Sequence, residues 1–245
     1  MTSIGNEKTN RSVFFDLIKA VAILAVVLYH FGLMQYGYLG VDIFFVVAGY
    51  LTGKSIQRSH EKGKPGYFGF LIKRLIRLLP LVLIASIVCL LIGCFLMLPD
   101  DYENLAESVV ATNFFSNNIL QCITTKNYWD VVNNYKPLMH TWYLGVLFEA
   151  YILTASIPYV IYKALKGKKS EDKVIAAVLA GVSIVSLFLY LMPRFSDAYK
   201  FYMVPFRFFE VGFGCTLAFL HVEKCRIKRK GIAATAIGAL FAVLC

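Results

Sequence analysis

Apolar runs long enough to cross a lipid bilayer recur along this chain with basic segments between them, and that recurrence limits the possible folds more than any other feature. A helix needs about 20 apolar residues to span the hydrocarbon layer. Candidate runs occupy residues 13–34, 38–51, 75–98, 138–162, 174–192, 201–221 and 231–245. The expected fold is therefore all-α, a polytopic transmembrane helical bundle of about seven spans forming one integral-membrane domain over residues 1–245. The second run is short unless it continues through Gly49 and Gly53. The last is still apolar where the chain stops, so the chain is expected to end before the architecture is complete. Composition agrees: 58% of residues are hydrophobic, 16% are charged and the mean hydropathy is +0.64, against about 25% charged in soluble domains. A soluble globule, a disordered chain, a coiled coil and a disulfide-stapled secreted domain are all excluded.

The cysteines form no framework, since Cys89, Cys94, Cys215 and Cys245 lie in apolar runs, Cys225 in a basic loop and Cys122 alone in a polar one. The first apolar run is long enough to span and contains charges, so it reads as a retained helix, not a cleaved leader.

A net charge of +10 raises the question of nucleic acid, but that reading needs a basic patch on a wet face. Here the cations alternate with apolar spans, which points to topology and to the lipid bilayer as partner, with no nucleic acid. Residues 105–121 decide the sidedness. If they do not span and the N-terminus is cytosolic, the inner segments hold Lys8, Arg11, Lys54, Arg58, Lys62, Lys64, Lys73, Arg74 and Arg77. They also hold Lys163, Lys166, Lys168, Lys169, Lys173, Lys224, Arg226, Lys228, Arg229 and Lys230. The outer loops then keep only Lys126, Lys136, Arg194 and Lys200. A spanning 105–121 segment would nearly equalise the two sides. The positive-inside rule selects the first arrangement, with 99–137 as an outer-face loop or dipping helix.

Ionisable groups inside spans cost a few kcal/mol each on insertion scales, so each calls for a partner or a function. Asp16 and Lys19 are three apart and can pair on one helical surface. Lys19 and His30 are eleven apart, which returns them to within about 20° of one face at an axial separation of roughly 16 Å. His30 comes near the outer edge of the hydrocarbon layer, where it either meets a substrate or snorkels. Asp42 opens the second run beside it and either caps that helix or holds an imidazole tautomer. Lys73, Arg74 and Arg77 sit at the inner mouth of the third run, either as topological anchors or as a cationic face for phosphates. His140 and Trp142 open the 138–162 run at its outer end. Glu149, nine residues on, is half a turn out of phase with His140 and needs a cation, for which Arg207 is the natural candidate, with Glu210 three residues beyond. Phosphate-binding glycine loops, zinc signatures and nucleophile elbows are absent from the sequence.

In series, FFDLIKAVAILAVVLYHF, GVDIFFVVAGYLTG, FLIKRLIRLLP, PLMHTWYLGVLFEAYIL and FRFFEVGFGCTLAF resemble the membrane-bound acyltransferase family 3, whose members O-acylate bacterial surface glycans and related molecules. The resemblance covers roughly residues 11–220. It implies about ten helical spans in the bacterial cytoplasmic membrane and a cytosolic acyl-CoA donor, acetyl-CoA or another. It also implies a glycan or lipid-linked sugar acceptor at the outer face, with no metal. The family's helix-one basic residue and histidine fall on Lys19 and His30, and its paired arginines on Arg74 and Arg77. His30 would be the general base, Asp42 its orienter, Lys19 a residue on the donor's path, and Arg74 with Arg77 and neighbouring Lys73 the holders of the CoA phosphates. The sequence departs from the pattern at Lys19, where arginine is commoner, and after the HTW element, where Tyr143, Leu147 and Phe148 replace the usual Ser and paired Glu. A non-enzymatic transporter or flippase is the competing reading, and would predict repeats and broken helices.

Overall fold

The computed structural model describes residues 2–63, 66–125, 136–165 and 170–221, with side chains of the first helix described from Phe15 onward. Among these residues every regular element is helical: α1 (Thr2–His30), α2 (Gly40–Glu61), α3 (Tyr67–Leu96), α4 (Pro99–Asn113), α5 (Asn117–Thr124), α6 (Trp142–Leu165), α7 (Glu171–Leu191), α8 (Asp197–Tyr202) and α9 (Val204–Phe219). Short 3₁₀ turns, Gly37–Leu39 and Met139–Thr141, lead into α2 and α6.

Four of these elements are long and apolar enough to cross a membrane: Gly37–Glu61, Tyr67–Leu96, Met139–Leu165 and Glu171–Leu191. They carry the second, third, fourth and fifth of the seven expected runs. α1, at 29 residues, carries the first, and the run 231–245 lies outside the described residues. The boundaries differ from the sequence reading in two informative places. The third helix begins at Tyr67, not near 75, so Lys73, Arg74 and Arg77 lie within its first three turns. The 201–221 run is not one helix, because Met203 is extended (φ −101°, ψ 134°) between α8 and α9. Pro205 follows in the first turn of α9, where its missing N–H costs nothing, whereas in a continuous helix it would break the ladder. At 16 residues, α9 is shorter than a perpendicular crossing needs.

The 105–121 segment forms two short helices, α4 of 15 residues and α5 of eight, and neither spans. The chain turns between them at Phe115, which holds a left-handed φ of 54°. A buried stack on Phe148, with ring centroids 4.7 Å apart, offsets that strain.

α9 is the axle of the bundle, flanked by α2 and α7. Its close approach rests on small residues: a Cβ at Gly49 would overlap the Val211 carbonyl oxygen, and one at Gly214 would overlap that of Val46. Between spans, lipid tails supply no hydrophobic contrast, so close van der Waals contact of this kind drives association. The core adds Phe45, Trp142, Tyr151, Ile175, Leu179, Tyr202 and Phe208. Outward, α3 shows Leu81, Ile84, Ile87, Leu91 and Phe95, a surface only lipid tolerates. This is a membrane protein.

Inter-helix bonds fix the two ends. Gln57 of α2 bonds Asp172 of α7, and His221 past α9 bonds the same carboxylate. At the opposite end gather the C-terminus of α1 and the N-termini of α2, α6 and α9.

Candidate active site

At that opposite end a cavity of about 350 Å³ opens between α1, α2, α6, α8 and α9. His30, Asp42, His140, Trp142, Phe201 and Arg207 are among its walls, with Tyr38 and Tyr143 beside them. Its volume falls at the low end of the range of small-molecule pockets, about 300–1,000 Å³.

His30 is the last residue of α1. The chain reverses directly after it through Gly32, whose φ of +70° only glycine adopts freely, with Leu33 N–H donating to Leu28 O and Gly32 N–H to Tyr29 O. This Schellman closure ends the helix so that the imidazole stands at the cavity mouth. His140 comes from the 3₁₀ turn before α6, and the two rings meet edge to face with centroids 4.9 Å apart. Two histidines 110 positions apart in sequence thus form one pair.

Polar side chains on α5 hold the His140 turn. Asn117 Nδ2 donates to the Leu138 carbonyl at 2.8 Å and to Thr141 Oγ1 at 2.7 Å, one bond on each side of His140. Thr112 Oγ1 lies 2.7 Å from the same Thr141 hydroxyl. Neighbouring Asn118 donates to the Tyr202 carbonyl at 3.2 Å and to Glu149 Oε1 at 3.1 Å, tying α5 to the end of α8 and to α6. Both asparagines are fully buried.

Arg207 forms the floor. Its Nη1 donates to Asp42 Oδ1 at 2.7 Å and to Glu210 Oε1 at 2.8 Å, and its Nε to the Phe201 carbonyl at 3.3 Å. The guanidinium also faces the rings of Phe201 and Trp142, at 5.0 and 5.9 Å. Two expectations change here. Arg207 does not serve Glu149, which instead accepts from Asn118. Asp42 neither caps α2, whose N-cap is Leu39 with no side-chain bond, nor orients His30; it is committed to Arg207. Helical phase within one segment gives no angle between segments 165 residues apart, and that angle decides the partner.

The remaining candidates lie away from the cavity. Lys19 pairs with Asp16 at 3.1 Å on an open face of α1 and does not line the cavity wall. Lys73 and Arg77 are exposed on α3, while Arg74 turns inward, its guanidinium 5.2 Å from the Phe70 ring centre and 5.0 Å from that of Tyr151. Sequence reasoning missed the aromatic walls, Phe201 above all, and the asparagines of α5. The one available signal was that Glu107, Asn113, Ser116, Asn117 and Asn118 interrupt the apolar stripe of residues 105–121.

A paired imidazole and a fixed cation in the walls of one mostly apolar cavity can take a proton from a hydroxyl and steady the charge that develops. Comparison with known proteins fits that chemistry. A family model described as "Acyltransferase domain" matches residues 12–245. The chain is 28% identical over 236 residues to the peptidoglycan O-acetyltransferase OatA of Listeria monocytogenes, covering 94% of this chain and 38% of that protein. It is 31% identical over 177 residues to a putative O-acetyltransferase of Staphylococcus aureus (strain COL), covering 70% and 28%. With the O-acetyltransferase OatA of Staphylococcus aureus (strain NCTC 8325 / PS 47) it shares 29% over 215 residues, covering 84% and 34%. The chain thus spans about a third of the length of these curated relatives. No solved structure matches it. Since the family match takes in every element that builds the cavity, from α1 to α9, this chain belongs to the acyltransferase 3 family of acyltransferase domains.

Proposed function

We propose that the chain is the membrane domain of an O-acetyltransferase in the bacterial cytoplasmic membrane, moving an acetyl group from a cytosolic acyl-CoA to a hydroxyl of a cell-surface or exported glycan. The observation that carries the reading is the His30–His140 pair at the mouth of the cavity floored by Arg207. The relatives' names support ester formation on an oxygen, and the Listeria relative's name supports a glycan acceptor. Membership of an acyltransferase family favours group transfer over transport.

In this reading neutral His30 removes the acceptor hydroxyl proton as its oxygen attacks the thioester carbonyl. The tetrahedral intermediate then collapses, the C–S bond breaks, and the His30 imidazolium returns the proton to the departing thiol. His140 packs against the His30 ring and limits its rotation. Asp42 and Glu210 act on the site through Arg207 by fixing the cation. Lys19 lies on the donor's path, and Lys73, Arg74 and Arg77 receive the donor's phosphates by charge-assisted bonds. The N-terminus is cytosolic, which puts the cavity at the outer face, where an exported acceptor arrives.

The test is CoA-thiol release by purified protein given acetyl-CoA and a peptidoglycan oligosaccharide. The His30→Ala variant should fall by about 10²–10⁴-fold with membrane insertion unchanged. Equal rates in the variant and the parent would remove His30 from the chemistry.

A further inference from the structure

A second cavity, of about 310 Å³, lies at the end of the bundle away from His30, between the last turns of α2, the first turn of α3 and the last turns of α6. Its walls are aromatic to an unusual degree: His60, Tyr67, Phe70, Tyr159 and Tyr162, with Lys163 at the edge. Tyrosines at span ends ordinarily form a belt facing the lipid headgroups. Here the rings are set against one another around the cavity. His60 lies flat on Tyr162, with centroids 3.6 Å apart and planes 4° from parallel. Tyr67 and Tyr159 stand 6.0 Å apart at 43°. Gly66 makes room for the second of these, since a Cβ there would come within 2.7 Å of Tyr159 Cε2.

The cations continue from this cavity along α3. Phe70 belongs to the wall, and its other side carries the Arg74 guanidinium one helical turn deeper, at 5.2 Å. The same guanidinium lies 5.0 Å from the ring of buried Tyr151, and Arg77 follows three residues on. From the bundle end inward the order is therefore aromatic cavity, then the cations Arg74 and Arg77, then the helix interior leading towards the His30 end. The span from Phe70 to Arg77 is about 10 Å at 1.5 Å per residue. A nucleotide thioester has the same order of parts: a flat base, a phosphate group, then an arm ending at the acyl sulfur.

Building on the acyl-CoA reading above, we propose that the α2–α3–α6 cavity is the site of the donor's purine base, stacked on Tyr159 and its neighbours, with Lys163 at the ribose-phosphate edge. Every base has a π-face, and loss of one stacking partner weakens base binding by roughly tenfold. A bare membrane belt would do none of this.

The experiment is calorimetric titration of the whole chain in nanodiscs with CoA, with adenosine 3′,5′-bisphosphate and with 4′-phosphopantetheine, which lacks the base. Tyr159→Leu should weaken CoA and adenosine bisphosphate by about tenfold and leave phosphopantetheine unchanged, and Tyr159→Phe, which keeps the ring, should bind all three like the parent. CoA binding that Tyr159→Leu does not alter overturns the base site and leaves the donor reading standing. Equal losses for CoA and phosphopantetheine overturn it too, as a loss of fold. A parent protein that binds neither CoA nor adenosine bisphosphate overturns the donor reading together with the site.

Discussion

Replacing Arg207 with methionine removes one cation from between two carboxylates and leaves both without it. The side chain is 10% exposed, that of Glu210 5% and that of Asp42 34%. Glu210 Oε2 has no hydrogen-bond partner among the described residues. Glu210 therefore depends on Arg207, while Asp42 still reaches water through the cavity. Breaking a buried ion pair from one side costs about 3–5 kcal/mol, and the screened Asp42 arm holds the total near the lower figure. For a chain of this length 1 kcal/mol moves the melting point by roughly 2–4 °C, so Arg207→Met should lower the apparent Tm by about 6–12 °C. Because a buried triad is worth little against apolar residues of similar volume, adding Asp42→Asn and Glu210→Gln to the same protein should restore most of the loss. Trp142, 5.9 Å from the guanidinium, supplies a local fluorescence signal for thermal unfolding in detergent. A single variant within 2 °C of the parent, or a triple variant no more stable than the single, would refute this account of the charge triad.

Two further outcomes follow from the geometry. Asn117→Leu strips both bonds that flank His140, at about 0.5–1.5 kcal/mol each, while the Leu138 carbonyl keeps its bonds from Thr141; acyl transfer should fall by up to about 10²-fold as the turn shifts, and steady-state kinetics at matched expression should show it mainly in kcat. Arg77→Gln should raise KM for the donor by roughly tenfold and leave KM for the acceptor unchanged, since a charge-assisted phosphate bond contributes about 1.5–3 kcal/mol; an unmoved donor KM would make Arg77 a topological anchor only.

The parts of this molecule legible in the sequence are those set by one helix and its solvent. Apolar length marked the four spanning helices but not the break at Met203 within 201–221, and the charge balance marked 105–121 as a segment that does not cross. His30 stands at a helix end because Gly32 follows it within two residues, a local signal. The choice of partners across helices was not legible. Arg207 meets Asp42 and not Glu149 because α9 packs on α2 through Gly49 and Gly214, which sets a rotation that no single run encodes. The pairing of His140 with His30 depends in turn on Asn117, whose two bonds run to a turn 21 and 24 residues away. An asparagine in an apolar stripe announces that it has a partner without saying which.

The central claim is that His30, at the outer end of the bundle, removes the proton of an acceptor on one side of the membrane while the acetyl donor enters from the other. The most direct measurement uses sealed inverted and right-side-out vesicles carrying the chain, with radiolabelled acetyl-CoA supplied on one side only and a peptidoglycan oligosaccharide on the other. Label should appear in the sugar only when the donor is on the cytosolic side, and His30→Ala should reduce it by at least about 10²-fold. Label transferred equally from either side, or undiminished in His30→Ala, would contradict the account.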